Sequence, residues 1–153
     1  MLVTYCENAH QIQKAKNAKL EEVILSCRDL SRFNKSSVDD LNKQIQLAND
    51  LNLKVILEWD ILMTENKMKV ALNSFNSVDL SNVNAIRVQD LGAFEYVFQN
   101  TNKPIHIIAE GKNHNVDSLV YYKKYAQDRL ERFVLSLELT REKLLEYKKV
   151  LDQ

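Results

Sequence analysis

Six short apolar runs, each followed by an amphipathic stretch, alternate along this chain without a break, and no other feature restricts its fold so strongly. Residues 2–5, 22–27 (EVILSC), 53–59 (LKVILEW), 85–88, 105–108 and 132–137 (RFVLSL) read as strands. The stretches between them place apolar side chains at helical spacing: Ala9, Ile12 and Ala15; Val38, Leu41, Ile45, Ala48 and Leu51; Met68, Leu72 and Phe75. Leu91, Phe94 and Phe98, then Val116, Leu119, Tyr122 and Ala126, and finally Leu144, Tyr147 and Leu151 complete the series. Polar residues that cap helices stand at the expected starts: Asn8 with Gln11 three positions on, Ser36 and Ser37, Thr64, Asn115 and Thr140.

Alternation with continuous apolar strands implies a parallel sheet covered by helices. Right-handed crossovers then leave two architectures. One is an incomplete TIM-type barrel, with six consecutive strand–helix units of an eight-fold design. The other is an open doubly wound sheet. With 153 residues the chain is one domain long and shorter than the roughly 250 residues of a closed barrel. Periodicity alone keeps both architectures open.

Composition removes several function classes. Lys+Arg and Asp+Glu both number 21, so no net field draws the chain to nucleic acid or an acidic membrane. No apolar run approaches the roughly 20 residues of a membrane-spanning helix. MLVTYCENAH lacks the pattern of a signal peptide. Two cysteines fit free thiols better than a disulfide framework, and the expected location is cytoplasmic. Two glycines, with neither GxGxxG nor GxxxxGK[ST], make a nucleotide site of either standard kind an unattractive reading.

In both architectures chemistry gathers at the C-terminal ends of the strands. Those ends supply Cys6 and Glu7; Cys27, Arg28 and Asp29; Glu58 and Asp60; Gln89 and Asp90; Glu110 with His114; and Glu138. Glu58, Glu110 and His114 are the candidate acid–base groups, provided the fold brings them together. Arg28, Gln89, Asp90 and Glu138 are further candidates. Every strand must end in solvent-compatible residues and every helix needs a cap, so each position alone also has an ordinary explanation. Cys6 and Cys27 with His10 lack the further ligands and spacing of a metal site. His106, inside an apolar strand, reads as a hydrogen-bonded core histidine.

The stretch from Asn84 to Asn115 carries a resemblance. Ile86-Arg-Val-Gln-Asp-Leu-Gly92 resembles the (I/V)VQDLG segment of the bacterial collagenase-like peptidase family U32. Pro104-Ile105-His106, with His114-Asn115 after it, is similar to that family's PIH…HN segment. Glu22-Val-Ile-Leu25, Val38-Asp-Asp-Leu41, Leu53-Lys-Val55 and Leu137-Glu-Leu-Thr-Arg-Glu142 agree in order. The sequence departs where the family has an APAG-like turn (here Tyr5-Cys-Glu-Asn8), a Gly-Gly (Ser26-Cys27) and an STQ-like segment (Ile108-Ala-Glu110).

The resemblance implies the N-terminal part of a (β/α)8-type barrel. It also implies a peptidase or collagenase-like protease, or a protein tied to hydroxylation of RNA or a quinone precursor. Such activity would be incomplete in this chain. Family members that carry an iron–sulfur cluster hold it on cysteines that this sequence lacks, so no cofactor is expected here. Cys6 and Cys27 do not match those positions. Nucleic acid, unsupported by charge, enters as a partner only through the resemblance. Otherwise the expected alternative is a non-catalytic interaction module. It would pair with itself, or with a chain that completes the barrel, through unpaired edge strands.

Overall fold

The computed structural model describes residues 2–110 and 115–152. Six strands alternate with six helices: β1 (Val3–Tyr5), α1 (Ala9–Asn17), β2 (Glu22–Leu25), α2 (Val38–Asp50), β3 (Lys54–Trp59) and α3 (Glu65–Asn76). There follow β4 (Ala85–Val88), α4 (Leu91–Asn100), β5 (Ile105–Ala109), α5 (Val116–Ala126), β6 (Leu130–Leu135) and α6 (Arg141–Leu151), with a short 3-10 turn before β6.

All strand pairs are parallel and the order in the sheet is the order in the chain, β1 through β6. A doubly wound sheet reverses its winding at a switch point, and this sheet has none. The open alternative is therefore excluded, and the fold is the incomplete TIM-type barrel. The sheet is also curled. At ordinary strand spacing a flat sheet would separate β2 from β6 by about 19 Å, beyond the reach of paired side chains. Yet Arg132 on β6 donates to Glu22 Oε2 at 2.9 Å and to Oε1 at 3.4 Å.

The two faces of the sheet differ in chemistry. Toward the helices, Val23, Leu25, Val55, Leu57, Trp59, Ile86, Val88, Ile105 and Ile107 alternate outward and pack on Ile12, Leu41, Ile45, Phe75 and Phe94. The inner face carries a small apolar layer, Ile24, Ile56 and Ala85. Around it stand Glu22, Glu58, Arg87, His106 and Arg132, of which Glu22, Glu58 and His106 are fully buried.

Caps fix the helix starts. Asn8 accepts from the Gln11 amide, while Gln11 reaches back to the Glu7 amide. Ser37, Asn115 and Thr140 accept from the amides of Asp40, Ser118 and Lys143. Thr64 makes no side-chain cap, and Glu65 in the first turn supplies the favourable charge instead.

Strand β6 departs from expectation. It starts at Leu130, two residues before the predicted start, and ends at Leu135 rather than at Leu137. The pairing of β5 with β6 skips Glu131, because Ile105 faces Leu130 and His106 faces Arg132. This bulge turns Glu131 toward the His106 ring, 2.9 Å away.

Candidate functional site

A cavity of about 280 Å³ opens at the C-terminal ends of β1, β2 and β3, bounded below by Ile24 and Ile108 and on one side by the loop that follows β2. Three strands deliver its polar centre. Tyr5 ends β1, Glu58 is one residue from the end of β3, and Arg87 stands opposite Glu58 in the register of β4. The Tyr5 hydroxyl donates to Glu58 Oε1 at 3.0 Å. Arg87 Nε approaches the same oxygen at 3.3 Å, and its guanidinium lies 5.5 Å from the Tyr5 ring centroid.

Burial raises the Glu58 carboxyl above the ordinary carboxylate range, and the neighbouring Asp60 adds to the rise. Arg87, the Tyr5 hydrogen bond and Arg32 oppose it without cancelling it. The Tyr5 hydroxyl is pushed up to about 12, by burial first and by the Glu58 charge second. Tyr5 is thus a neutral phenol that holds Glu58 in place. A buried carboxyl with a raised pKa at a cavity wall is the arrangement from which acid–base catalysts are made.

Asp60 builds the wall beside it. Its carboxylate accepts from the Arg32 amide at 2.9 Å and from Arg32 Nε at 3.0 Å, while the Asp60 amide donates to the Leu30 carbonyl. The loop after β2 is thereby tied to the loop after β3. Ser26 Oγ donates to the Glu58 carbonyl at 2.7 Å, so the position where the family pattern has glycine links the two strands.

The predicted site residues divide by placement. Glu58 and Glu110 line one cavity, Glu58 buried in its wall and Glu110 exposed at its rim. His114 lies outside the described residues. Gln89 accepts from Arg32 at 3.4 Å on the same side of the molecule. Asp90 is a helix cap: Oδ1 accepts from the Gly92 and Ala93 amides, and Oδ2 accepts from the Met63 amide. Arg28 and Glu138 are exposed at strand ends and are not among the residues that line the cavity.

The most specific sequence motif proves to be architectural. In Gln89-Asp-Leu-Gly92 the aspartate opens α4, and glycine admits a close approach. A Cβ on Gly92 would lie 2.7 Å from Met68 Cε and 3.1 Å from Asp90 Oδ1. His106 is buried and paired with Glu131, and burial holds its pKa below the ordinary value despite that partner.

Cys6 and Cys27 are free and buried, and burial pushes the Cys6 thiol up to about 11 and raises Cys27 too. Cubane and rhombic clusters take four thiolate ligands. Two protonated thiols do not fit that requirement, and no step is routed through such a cluster. Among the described residues no group of three or more His, Cys, Asp or Glu side chains is placed to hold a metal ion. No helix among them is long and apolar enough to cross a membrane.

Sequence reasoning missed Tyr5, Arg32 and Arg87. Arg87 had a signal, a charge in the apolar run Ala-Ile-Arg-Val at a position that alternation turns inward. Arg32 had none, because its partner is set by the loop that carries it.

The fold has solved relatives. It is similar to the U32 peptidase Mk0906 with a TM-score of 0.70 at 10% identity, over 96% of this chain and 63% of that one. A protein assigned to the dihydrodipicolinate synthase family from Coccidioides immitis matches with a TM-score of 0.66 at 10% identity, over 97% of this chain and 56% of that one. A candidate phosphonomutase from Burkholderia cenocepacia J2315 matches with a TM-score of 0.56 at 12% identity, over 94% and 60%. The chain spans less than two thirds of each, and at these identities the likeness is one of fold. No curated protein matches the chain. The model of peptidase family U32, however, matches residues 7–152, nearly the whole sequence. The ordered motifs, the sequential parallel sheet and this match agree: the chain belongs to peptidase family U32.

Proposed function

We propose that this chain is the substrate-holding part of a U32-type peptidase barrel, with Glu58 as its acid–base group and turnover dependent on further strand–helix units. The observation that carries the reading is the buried Glu58 carboxyl, raised above its ordinary range and fixed by Tyr5 and Arg87 in the wall of an open cavity. Such a group keeps its proton to higher pH than an ordinary carboxyl, and Tyr5 and Arg87 hold it in one orientation. Glu110 at the rim is the second carboxylate available to the same ligand. Glu58 and Glu110 alone offer neither an activated nucleophile nor a metal-bound water, so peptide hydrolysis needs groups supplied from elsewhere.

The test is hydrolysis of quenched fluorescent gelatin and of a mixed peptide library by the purified chain. The expected result is no turnover by the chain alone, and turnover when it is co-expressed with the two missing units of a family barrel. Turnover by the chain alone that survives Glu58→Gln would overturn the proposal.

A second reading rests on the sheet edges. Among the described residues neither β1 nor β6 pairs with a further strand, and β1 exposes Val3 and Tyr5. An interaction module would pair through these edges. A clean monomer at high concentration by light scattering counts against it.

A further inference from the structure

Among the described residues, Arg87 is the one strongly basic side chain that lines both the mouth cavity and a second cavity of about 230 Å³ deeper in the curl. A guanidinium carries five N–H donors in a planar fork. Its side chain is only 12% exposed. Its Nε is buried and, among the described residues, has no hydrogen-bond partner, because the 3.3 Å approach to Glu58 is an ion-pair distance without hydrogen-bond alignment. No hydrogen bond from its terminal nitrogens to a described residue exists either. A buried guanidinium with unused donors is costly unless a ligand completes it.

We infer that the mouth cavity takes a carboxylate group, seated on the Arg87 fork beside Tyr5, and that a proton accompanies the ligand onto Glu58. This rests on the reading of the cavity as a substrate site and names the group it recognises. The carboxylate belongs to a small organic acid or to the C-terminus of a peptide, and both present the same planar, two-oxygen face that a guanidinium matches bidentately.

Charge bookkeeping favours an anion only when Glu58 is neutral. With Glu58 ionised, Arg87 is already compensated and an incoming carboxylate meets a like charge at close range. With Glu58 protonated, the ligand replaces it as the counter-ion, and the protonated Glu58 becomes a hydrogen-bond donor. Burial already biases Glu58 toward that neutral form. The other charged groups are accounted for. Asp60 and Arg32 neutralise each other, and Glu7 and Glu110 stand exposed at the rim. On the far side His106 is held by Glu131, and Arg132 by Glu22. Binding is therefore expected to strengthen as pH falls toward the Glu58 pKa.

Calorimetric titration of the whole chain with N-acetyl-alanine and with N-acetyl-alanine amide tests the group recognised. An acetylated tetra-alanine with a free or an amidated C-terminus separates the small acid from the peptide end. Each carboxylate form is expected to bind at least tenfold more tightly than its amide, and repetition in buffers of different ionisation enthalpy should show proton uptake. If only N-acetyl-alanine binds, the ligand is a small acid; if the tetrapeptide binds as well, it is a peptide C-terminus.

Arg87→Met should abolish the preference for carboxylate, and a circular dichroism melt separates that loss from unfolding. Glu58→Gln is the decisive variant, because it removes the competing charge at constant volume. It is expected to tighten binding of the carboxylate severalfold and to eliminate proton uptake, a gain that a merely structural role does not produce. Equal binding of acid and amide, no binding of either by folded protein, or weaker binding by Glu58→Gln would each overturn the inference. These readouts concern binding, so they stand apart from the peptide-hydrolysis test of the preceding proposal.

Discussion

The two faces of one sheet are held by different forces. On the convex side Leu57, Trp59, Ile86 and Phe94 bury against helices through dispersion and the hydrophobic effect. On the concave side Glu22 pairs with Arg132, Glu58 with Arg87 and His106 with Glu131, through charge and hydrogen bonds. A closed barrel fills its interior with layers of branched apolar side chains. Here the small apolar cluster is Ile24, Ile56 and Ala85, and polar and ion-paired side chains stand around it. The comparison teaches that the outer face stabilises the fold, whereas the inner face sets its curvature and its chemistry. Truncating the first should cost stability without touching the cavity, and changing the second should alter the chemistry of the inner face at a smaller cost in stability.

The largest effect is expected at Phe94, which is almost fully buried and meets the rings of Phe98, Tyr122 and Tyr125. Phe94→Ala should lower unfolding free energy by about 3–5 kcal/mol in urea titration. A loss below about 1 kcal/mol would mean that the convex core does not carry the fold.

Next stands the ion pair across the curl. Glu22→Ala should cost about 2 kcal/mol, because it removes the carboxylate to which the Arg132 guanidinium donates twice. Glu22→Leu combined with Arg132→Met should recover most of that loss, since a well-packed apolar pair replaces a buried ion pair at little or no penalty. If the double variant is as unstable as the single one, the pair does more than offset its own desolvation.

Asp90→Ala comes third, at about 1–2 kcal/mol, the ordinary cost of losing a helix cap. As a cap, Asp90 should leave carboxylate binding unchanged. A binding defect would return it to the list of site residues.

Two of the buried titratable groups of the inner face, Glu58 and His106, pull stability in opposite directions with pH. Glu58 has a folded pKa above its unfolded value, so the native state holds the extra proton and stability falls as pH rises through that window, upward from about 4.5. His106 has a folded pKa below 6.5, so its contribution is complete above 6.5 and is lost as pH falls through the folded value. Glu58→Gln should flatten the first slope and His106→Gln the second, as read from urea midpoints across pH. A slope that survives its own substitution assigns it to another group. Smallest of all, Arg28→Ala and Glu138→Ala, exposed at strand ends, should move stability by less than about 0.5 kcal/mol.

This contrast also explains what was legible in the sequence. The convex face follows periodicity, which a single chain displays directly, so six strands and six helices could be placed from Val23, Leu41, Phe75 and their like. The caps at Asn8, Ser37, Asn115 and Thr140 are local and equally readable, whereas Asp90, expected as a strand-end site candidate, is also a cap. The concave face depends on partners far apart in the chain. Arg132 looks like the solvated start of a strand until Glu22, on a strand near the other end, is known to face it. Glu131 looks like an ordinary surface acid until the bulge in β6 turns it to His106. The strand starts earlier than its apolar run because the bulge at Glu131 interrupts the alternation there. Gln127, with φ of 49°, supplies the left-handed turn before it without the glycine that would have announced it.

The sequential strand order has a kinetic consequence. Each new strand pairs with the one made just before it, so contacts of short sequence separation accumulate as the chain lengthens. Such a polypeptide can build its sheet from the N-terminus while synthesis continues. The bond between Glu22 and Arg132, 110 residues apart, is the exception. It can form only after β6 has docked, so the curl tightens last, after the strands that carry Tyr5, Glu58 and Arg87 are already in place.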